Sequence, residues 1–525
     1  MQLRTAPFTS RHAIRGMVCA VDHLAAQAGV ATLRAGGNAA DAAVATSAVL
    51  AVTTQHMCGM GGDLFALVSS PGDPTPAVLN ASGRSGSGAD PDRLRAEGHR
   101  EMPAVGDIRA VPVPGCVDGW LALHGRFGRL PLGDVLAAAT DYADNGFPTS
   151  PILSWVAPQV AALPGGADFA SATRPGAVVR RPGVARALRA VVDAGRDGFY
   201  LGEFGRGLLA LGNGEYAEDD LRSVDADWVE PIGLDAWDRR IWTVPPNSQG
   251  YLTAAAAWIA AGLDLPADPD DPLWAHLTVE AARAAGWDRI DVLHENTDGA
   301  ALLDIDRLRP RRDAIRPDRA AELGDTYRDG GTIYLCAVDE DRMGVSLIQS
   351  NAAGFGTGIA EPATGIFLQN RGVGFSLEPG HPAEYRPRRR PPHTLSPALV
   401  TAADGALDMV IGTMGGDSQP QVLLQLLARI LGAGEGVGEA VAAGRWSLAD
   451  RGDGSGFDTW RQRGRVQVLL EPEAPTAWAD GLSARGHAVR TTPGNYGHAH
   501  VIRVREDHLE GASDPRALSG DAAAY

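Results

Sequence analysis

The chain has 525 residues, a formal net charge of −17 and a hydrophobic content of 44%, enough apolar material for a large core. All 47 of its basic residues are arginines, which excludes enzymes that need a lysine: Schiff-base and pyridoxal-phosphate enzymes, P-loop proteins and protein kinases. The acidic balance argues against nucleic acid or an anionic membrane as a partner, and four cysteines without CxxC spacing predict reduced thiols.

The first half of the chain predicts mainly helices. Charged residues interrupt the N-terminal segment, so it lacks the apolar core of a signal peptide, and we expect a cytoplasmic protein. Asn38 and Asp41 are N-cap candidates for a helix over 38–53. A glycine cluster followed by an apolar run predicts a strand within 58–68. The other predicted helices cover 20–35, 115–145, 183–194 and 250–262.

The second half predicts more strands. The polar segment 264–330 indicates helices and a surface linker, and the simplest organisation is two halves joined near 325–331. Two short apolar runs, 332–338 and 343–349, then predict an antiparallel pair. The remaining predictions are a Pro/Arg-rich loop at 379–392, two strands within 395–416, a helix at 421–431 and a last strand at 498–505.

Three short segments contain residues suited to chemistry. Thr332 follows a glycine pair at the start of a predicted strand, and Ser350 and Asn351 end the next one. The segment GTMGGDS (412–418) precedes a helix, where backbone N–H groups can face an oxyanion. Each segment by itself also fits an ordinary turn or strand exit.

Taken in order, these segments and several others resemble the γ-glutamyltranspeptidase family of N-terminal nucleophile hydrolases. The resemblance covers nearly the whole chain and implies an αββα sandwich of two stacked, mainly antiparallel sheets between helical layers. The similar segments are GGNAADAAVATSAVLAVTTQHMCGMGGDLF (36–65), ASGRSGSGA (81–89), VPVPGCVDGW (111–120), FGRLPLGDVLAAATDYADNGFPTS (127–150), GGTIYLCAVD (330–339), SNAAGFGTGIAEPATGIFLQNRGVGFS (350–376), PPHTLSPALV (391–400) and GTMGGD (412–417).

The resemblance implies that Thr332 is a nucleophile exposed by self-cleavage of the Gly331–Thr332 bond. The products would be a large chain, 1–331, and a small chain, 332–525, which together form one intertwined αββα unit. A threonine hydroxyl needs an adjacent base. Cleavage supplies one on the same residue, an α-amine with a reference pKa of about 7.7–8.0.

Further roles follow from the resemblance. Ser350 matches the hydroxyl residue that hydrogen-bonds the nucleophile, and Gly415 and Gly416 match the pair whose N–H groups hold the oxyanion. Arg84 matches the arginine that grips the substrate's α-carboxylate, a task suited to a bidentate guanidinium. The implied reaction transfers a γ-glutamyl group from glutathione or another amide to water or an amino acid, without a metal or organic cofactor.

The acyl pocket departs from the family pattern. Arg371 and Gly374 stand where the family usually has an acidic or amide residue and an aspartate for the glutamyl α-amine. His393 and Thr394 replace the serine pair that contacts the carboxylate. An asparagine of the pattern is Ala352 here, with Asn351 beside it as a substitute.

These departures leave three hypotheses open. The first is a self-processing γ-glutamyltranspeptidase-like enzyme. The second is a related acylase for an amide without a free amine, such as a glutaryl amide held by Arg84 and Arg371. The third, from another class, is an unprocessed family member that binds a ligand without turnover.

Overall fold

The computed structural model describes residues 10–322, 332–450, 466–494 and 496–525. Its strands, in chain order, are β1 Arg11–Ala13, β2 Met17–Ala20, β3 Asp63–Ser69, β4 Ala77–Ala81, β5 Phe147–Pro148, β6 Val178–Val179, β7 Asp227–Val229, β8 Ile232–Ala236, β9 Arg239–Thr243, β10 Ile333–Val338, β11 Gly344–Ser350, β12 Ala398–Thr401, β13 Leu407–Thr413, β14 Trp446–Asp450, β15 Val466–Leu470, β16 Val489–Thr491, β17 Ala499–Val504, β18 Leu509–Ser513 and β19 Asp521–Ala524.

The helices alternate with these strands along the chain. They are α1 His23–Arg34, α2 Ala39–Thr53, α3 Pro91–Ala96, α4 Cys116–Phe127, α5 Leu132–Asn145, α6 Pro151–Val156, α7 Pro182–Tyr200, α8 Glu203–Gly212, α9 Glu218–Arg222, α10 Tyr251–Ala261, α11 Pro272–Gly286, α12 Arg289–Val292, α13 Gly299–Leu302, α14 Ile305–Asp313, α15 Gln419–Leu427, α16 Val437–Ala442 and α17 Thr476–Ala484.

Two seven-stranded sheets form the centre of the molecule. Their strand orders are β19-β2-β10-β11-β3-β4-β7 and β1-β18-β17-β13-β12-β9-β8. All neighbours in both sheets run antiparallel. Both sheets contain strands from before and after position 331, so the two parts of the chain share one structure.

Three apolar layers hold the sheets and helices together. One layer lies between the two sheets and includes Phe65, Tyr334 and Leu399. A second packs α1, α2, α4, α5 and α7 on the outer face of the first sheet, and a third packs α10, α11 and α15 on the second. Burial of apolar surface on both faces of each sheet stabilises the αββα arrangement predicted from the sequence.

Helix α2 shows why an alanine-rich run suits this position. Asn38 caps it by accepting from the N–H of Asp41, whose side chain accepts in return from Asn38 N–H. All 15 of its residues are buried, because it packs on α1, α5 and the central strands. Small side chains on every face allow this close packing.

The structure corrects two predictions and adds detail to two others. Helix 115–145 is two helices, broken where Gly128 and Pro131 interrupt it. Within 264–322 the predicted helices are present as α11 to α14, and α11 is buried along most of its length; the end of the predicted linker lies outside the described residues. The strand at 498–505 is not the last, because β18 and β19 follow it. The two parts predicted to join near 325–331 are intertwined, because β1 and β2 pair with strands from the far end of the chain.

Candidate active site

Thr332 lies at the entrance to the central strand β10. The antiparallel register pairs Ile333 with Gln349 and therefore puts Thr332 across from Ser350. Their hydroxyl oxygens are 3.0 Å apart and both residues are fully buried. Ser350 Oγ also accepts a hydrogen bond of 2.8 Å from the N–H of Ala352. The strand pairing thus brings together two hydroxyls separated by 18 positions in the sequence.

Arg371 points its guanidinium at the hydroxyl of Ser350. It begins a short turn, Arg371–Gly374, and is only 2% exposed. Its Nη1 donates to Thr394 Oγ1 at 2.9 Å and its Nη2 to Ser350 Oγ at 3.4 Å. Its Nε has no hydrogen-bond partner, and no carboxylate among the described residues makes a salt bridge with it.

Burial lowers the pKa of Arg371 to about 10, although the nearby charges of Asp63 and Asp417 oppose that shift. The side chain is therefore still cationic at neutral pH. A buried cation whose nearest protein partners are hydroxyls can still bind an anion. The structure thus places Arg371 and Thr394 together with Thr332 and Ser350.

Asp63 anchors the other side of the cluster. It pairs with Ser350 in the register of β3 and β11. The side chains of Thr332, Ser350 and Asp63 therefore form one row across the sheet. Its Oδ1 accepts from the N–H of Gly83 at 2.9 Å and from Gln369 Nε2 at 2.8 Å. Its Oδ2 lies 3.1 Å from His393 Nε2. One buried carboxylate therefore joins several distant segments of the site.

His393 is neutral in this setting. Burial, with the Arg371 cation nearby, lowers the pKa of His393 to about 3. Its Nδ1 accepts from the N–H of Leu395 at 3.3 Å, so Nε2 carries the proton and donates to Asp63. The histidine predicted to contact substrate thus supports the pocket wall next to Thr394.

Gly415 and Gly416 lie just beyond the C-terminal end of β13. Their φ angles are +133° and +55°, and a Cβ on Gly415 would lie 2.5 Å from Ser418 Oγ. Among the described residues, neither N–H donates to another protein group. Gln249 ties the pair to the pocket, since its Nε2 donates to the carbonyls of Gly416 and Thr394.

Three predicted residues lie apart from this cluster or outside the described residues. Arg84 forms ion pairs with Asp225 at 3.3 Å and Glu295 at 3.1 Å, and its side chain is 33% exposed. Asn351 donates to the carbonyl of Gln55 at 3.1 Å, beside the 54–62 loop. Gly331 is not among the described residues. The roles predicted for these three residues stay predictions.

Sequence patterns did not predict that Asp63, Gln249 and Gln369 belong to the site. Asp63 had one available signal, a charged residue directly after the glycine cluster and before an apolar strand. Gln249 and Gln369 had none, because their partners are more than a hundred positions away.

An open cavity of about 700 Å³ is lined by Val373, Gly374 and Pro392, which are chain neighbours of Arg371 and His393. The side chains of the cluster itself do not line this cavity. Within the part of the chain that the structure describes, no group of three or more His, Cys, Asp or Glu residues could hold a metal ion. Over the same residues, no helix is long and apolar enough to cross a membrane.

Comparisons with known proteins agree with this fold. The family model described as Gamma-glutamyltranspeptidase matches residues 25–525. An oxamate amidohydrolase proenzyme of Klebsiella pneumoniae is 36% identical, covering 98% of this chain and 100% of the relative. A glutathione hydrolase-like YwrD proenzyme of Bacillus subtilis is 35% identical, covering 97% and 98%.

The solved structures include a cephalosporin acylase from Bacillus halodurans. It superposes with a TM-score of 0.90 at 31% identity, covering 100% of this chain and 98% of that one. The two stacked antiparallel sheets between helices are thus the N-terminal nucleophile hydrolase fold. With a family model that spans nearly the whole sequence, the chain belongs to the γ-glutamyltranspeptidase family of hydrolases and acyltransferases.

Proposed function

We propose that this protein is a self-processing amidohydrolase that uses Thr332 as its nucleophile. The contact between the hydroxyls of Thr332 and Ser350, 3.0 Å apart at the end of the central strand pair, supports this role. The relatives named as proenzymes support cleavage of a precursor. Cleavage before Thr332 would produce the chains 1–331 and 332–525 and free an α-amine on the nucleophile itself.

The proposed reaction has two steps. The α-amine of Thr332 takes the proton of the hydroxyl, and Oγ1 attacks the carbonyl carbon of the amide. The N–H groups of Gly415 and Gly416 hold the resulting oxyanion, the C–N bond breaks, and the amine leaves with the proton. Water then attacks the ester, releasing a carboxylic acid and restoring the hydroxyl of Thr332.

Arg371 carries the proposal about the acyl group. Its guanidinium is buried, cationic and directed at Ser350 and Thr394. Such a group attracts a carboxylate and repels the ammonium of a γ-glutamyl donor. We therefore favour an acyl group with a carboxylate and no α-amine over the γ-glutamyl group.

The position of Arg371 also favours a short acyl group. Its Nη2 is one hydrogen bond from Ser350 Oγ, which is one hydrogen bond from Thr332 Oγ1. A carboxylate held there lies only a few bonds from the carbon under attack. Oxamate has this arrangement, and it is the substrate in the name of the Klebsiella relative. We propose oxamate and the next longer dicarboxylic monoamides as substrates.

Gel electrophoresis and amine labelling test the nucleophile. The wild-type protein should show two chains and Thr332→Ala a single inactive one. The chain lacks lysine, so an amine-reactive probe on the denatured, processed protein should label one α-amine per chain. Two chains in Thr332→Ala, or a small chain without label, would contradict the assignment.

An assay of amide cleavage tests the acyl group. The processed enzyme is given oxamate, succinamate, glutaramate, L-glutamine and glutathione, with ammonia or the free amine as the readout. We expect turnover of one or more of the three amine-free carboxylates to exceed that of glutamine and glutathione by at least tenfold. Preference for either γ-glutamyl compound would overturn this part of the proposal.

A further inference from the structure

The turn after the glycine pair carries a buried carboxylate. Asp417 directly follows Gly416, and its side chain is only 4% exposed. Arg289, the first residue of α12, donates from Nη2 to Asp417 Oδ1, and its own side chain is 1% exposed. The two residues are 128 positions apart in the sequence. A buried salt bridge thus ties α12 to the proposed oxyanion turn, and it would join the large chain to the small one after cleavage.

The charge of Asp417 also acts on the acyl side of the site. Burial lowers the pKa of Arg371, and the carboxylates of Asp63 and Asp417 oppose that shift. Asp63 already accepts hydrogen bonds from groups on three other segments of the chain. Asp417 therefore has one buried guanidinium in contact, that of Arg289, and a second, that of Arg371, within electrostatic range.

Four buried groups determine the formal charge around the acyl position. They are the guanidiniums of Arg289 and Arg371 and the carboxylates of Asp63 and Asp417. Two positive and two negative charges balance, and the neutral ring of His393 does not change the count. Removing Arg289 leaves one excess negative charge, and removing the charge of Asp417 leaves one excess positive charge. Since water and salt screen buried charges weakly, one unit of charge changes the affinity for an anion strongly.

We propose that Arg289 is a positioning residue that makes the acyl pocket accept a carboxylate, because it holds and neutralises Asp417. Arg289 need not touch the substrate to do so. With Asp417 paired to Arg289, the cation of Arg371 is left for the carboxylate of the substrate. Without Arg289, Asp417 would compensate Arg371 instead, and the substrate carboxylate would enter a pocket with excess negative charge. This inference rests on the proposed amidohydrolase function and adds the origin of its preference for a carboxylate.

Three variants test the charge balance: Arg289→Met, Asp417→Asn and the double variant that combines them. We expect Arg289→Met to raise the KM for oxamate at least tenfold and Asp417→Asn to lower it. The double variant has the wild-type charge balance and should return the KM to within threefold of the wild-type value. Hydrolysis of acetamide, which has no carboxylate, should not follow this order. KM is compared rather than kcat, because Asp417 adjoins the proposed oxyanion turn.

Binding of oxalate, the acid that oxamate hydrolysis would release, gives a readout without turnover. Isothermal titration calorimetry on the processed enzymes should show the same order of affinities as the KM values. Two chains on a gel show that a variant folds and is processed. If Arg289→Met is not processed, Asp417→Asn and the double variant still decide the question, since neither buries an unpaired carboxylate. Asp417→Asn should then bind oxalate at least threefold more tightly than the double variant.

A second buried salt bridge supplies the matched control. Arg429 is buried, and its Nη1 lies 2.7 Å from a carboxylate oxygen of Glu435. Its other carboxylate contact is Asp270, and neither of these acidic residues belongs to the site. Arg429→Met should therefore lose stability but keep the wild-type KM for oxamate and the wild-type affinity for oxalate.

The outcomes separate the two proposals. A double variant with a KM as high as that of Arg289→Met would show that Arg289 only supports the fold, and the inference would fail. Unchanged oxamate KM and oxalate affinity in Arg289→Met would also overturn it. If processed wild-type enzyme hydrolyses no amine-free carboxylate amide, the proposed function fails, whereas oxalate affinity still reports on the charge balance.

Discussion

At the scale of single residues, Arg371 carries a buried positive charge that no described carboxylate pairs with in a salt bridge. Burying a cation without an adjacent carboxylate is unfavourable, and here two hydroxyls and the more distant charges of Asp63 and Asp417 provide the compensation. Such a residue is retained more readily when a ligand supplies the missing anion. Arg371 is therefore the first residue to substitute.

We predict that Arg371→Gln lowers kcat/KM for oxamate by about 10- to 100-fold, since a charge-assisted hydrogen bond contributes roughly 1.5–3 kcal/mol. Hydrolysis of acetamide, which has no carboxylate, should change little. Arg371→Lys should fall between wild type and Arg371→Gln, because it keeps the charge but not the planar fork. Unchanged oxamate kinetics in Arg371→Gln would show that the carboxylate binds elsewhere.

At the scale of elements, the exit of β13 carries the proposed oxyanion site. Gly412 packs directly on the ring of Tyr334, so β13 crosses β10 two residues beyond Thr332. The chain then turns through Gly415 and Gly416 before α15 begins. Only glycine readily adopts the φ of +133° that Gly415 has at this turn.

We predict that Gly415→Ala lowers kcat by about 100- to 1,000-fold, the usual cost of losing an oxyanion donor, with a smaller effect on KM. The added Cβ would collide with Ser418 Oγ and turn the N–H away. Gly72→Ala is the matched control, since Gly72 has a φ of +88° in an open surface turn. It should lose some stability but keep its kcat. Equal kcat losses in both variants would contradict the assignment.

At the scale of elements, local sequence patterns also predicted a helix cap and several strands. The N-cap pair of α2, the antiparallel pair β10 and β11, and the two strands that end in glycines all follow from local patterns. Short strands such as β7, β8 and β9 were missed, because polar residues on their exposed sides mask the alternation. These segments form strands because of the strands they pair with in the folded protein, and not because of a pattern in their own sequence.

At the scale of the whole molecule, buried neutral histidines link stability to pH. Burial lowers the pKa of each of four buried histidines to about 3, well below the ordinary value near 6.5: these are His56, His393, His487 and His500. Between pH 6.5 and 3 the unfolded chain therefore binds more protons at these sites than the folded one. The contribution of these neutral histidines to the free energy of unfolding is complete above pH 6.5 and is lost as the pH falls toward 3.

We predict that the midpoint of thermal unfolding drops steeply from pH 7 to pH 5, with each histidine costing up to about 1.4 kcal/mol per pH unit. Burial raises the pKa of Asp225 to about 6. As the pH falls, the folded chain therefore binds this proton before the unfolded chain does, which offsets the effect of one histidine. His500→Phe should reduce the slope, because no described group hydrogen-bonds either ring nitrogen of His500 and the ring stacks on Tyr334. A flat profile from pH 7 to 5 would disprove the linkage.

The sequence by itself determined the family, because its motifs occur in the family's order along the chain, and that resemblance implied the αββα fold and the segments that carry the proposed chemistry. It also placed Thr332 and Ser350 correctly on facing strand ends. Only the tertiary structure decided which groups surround them. Arg371 reaches Ser350, Asp63 joins His393 and Gln369, and Arg84 pairs with Asp225 and Glu295 through contacts between distant segments. Such contacts arise when packing brings strand ends and loops together, and no local pattern encodes them.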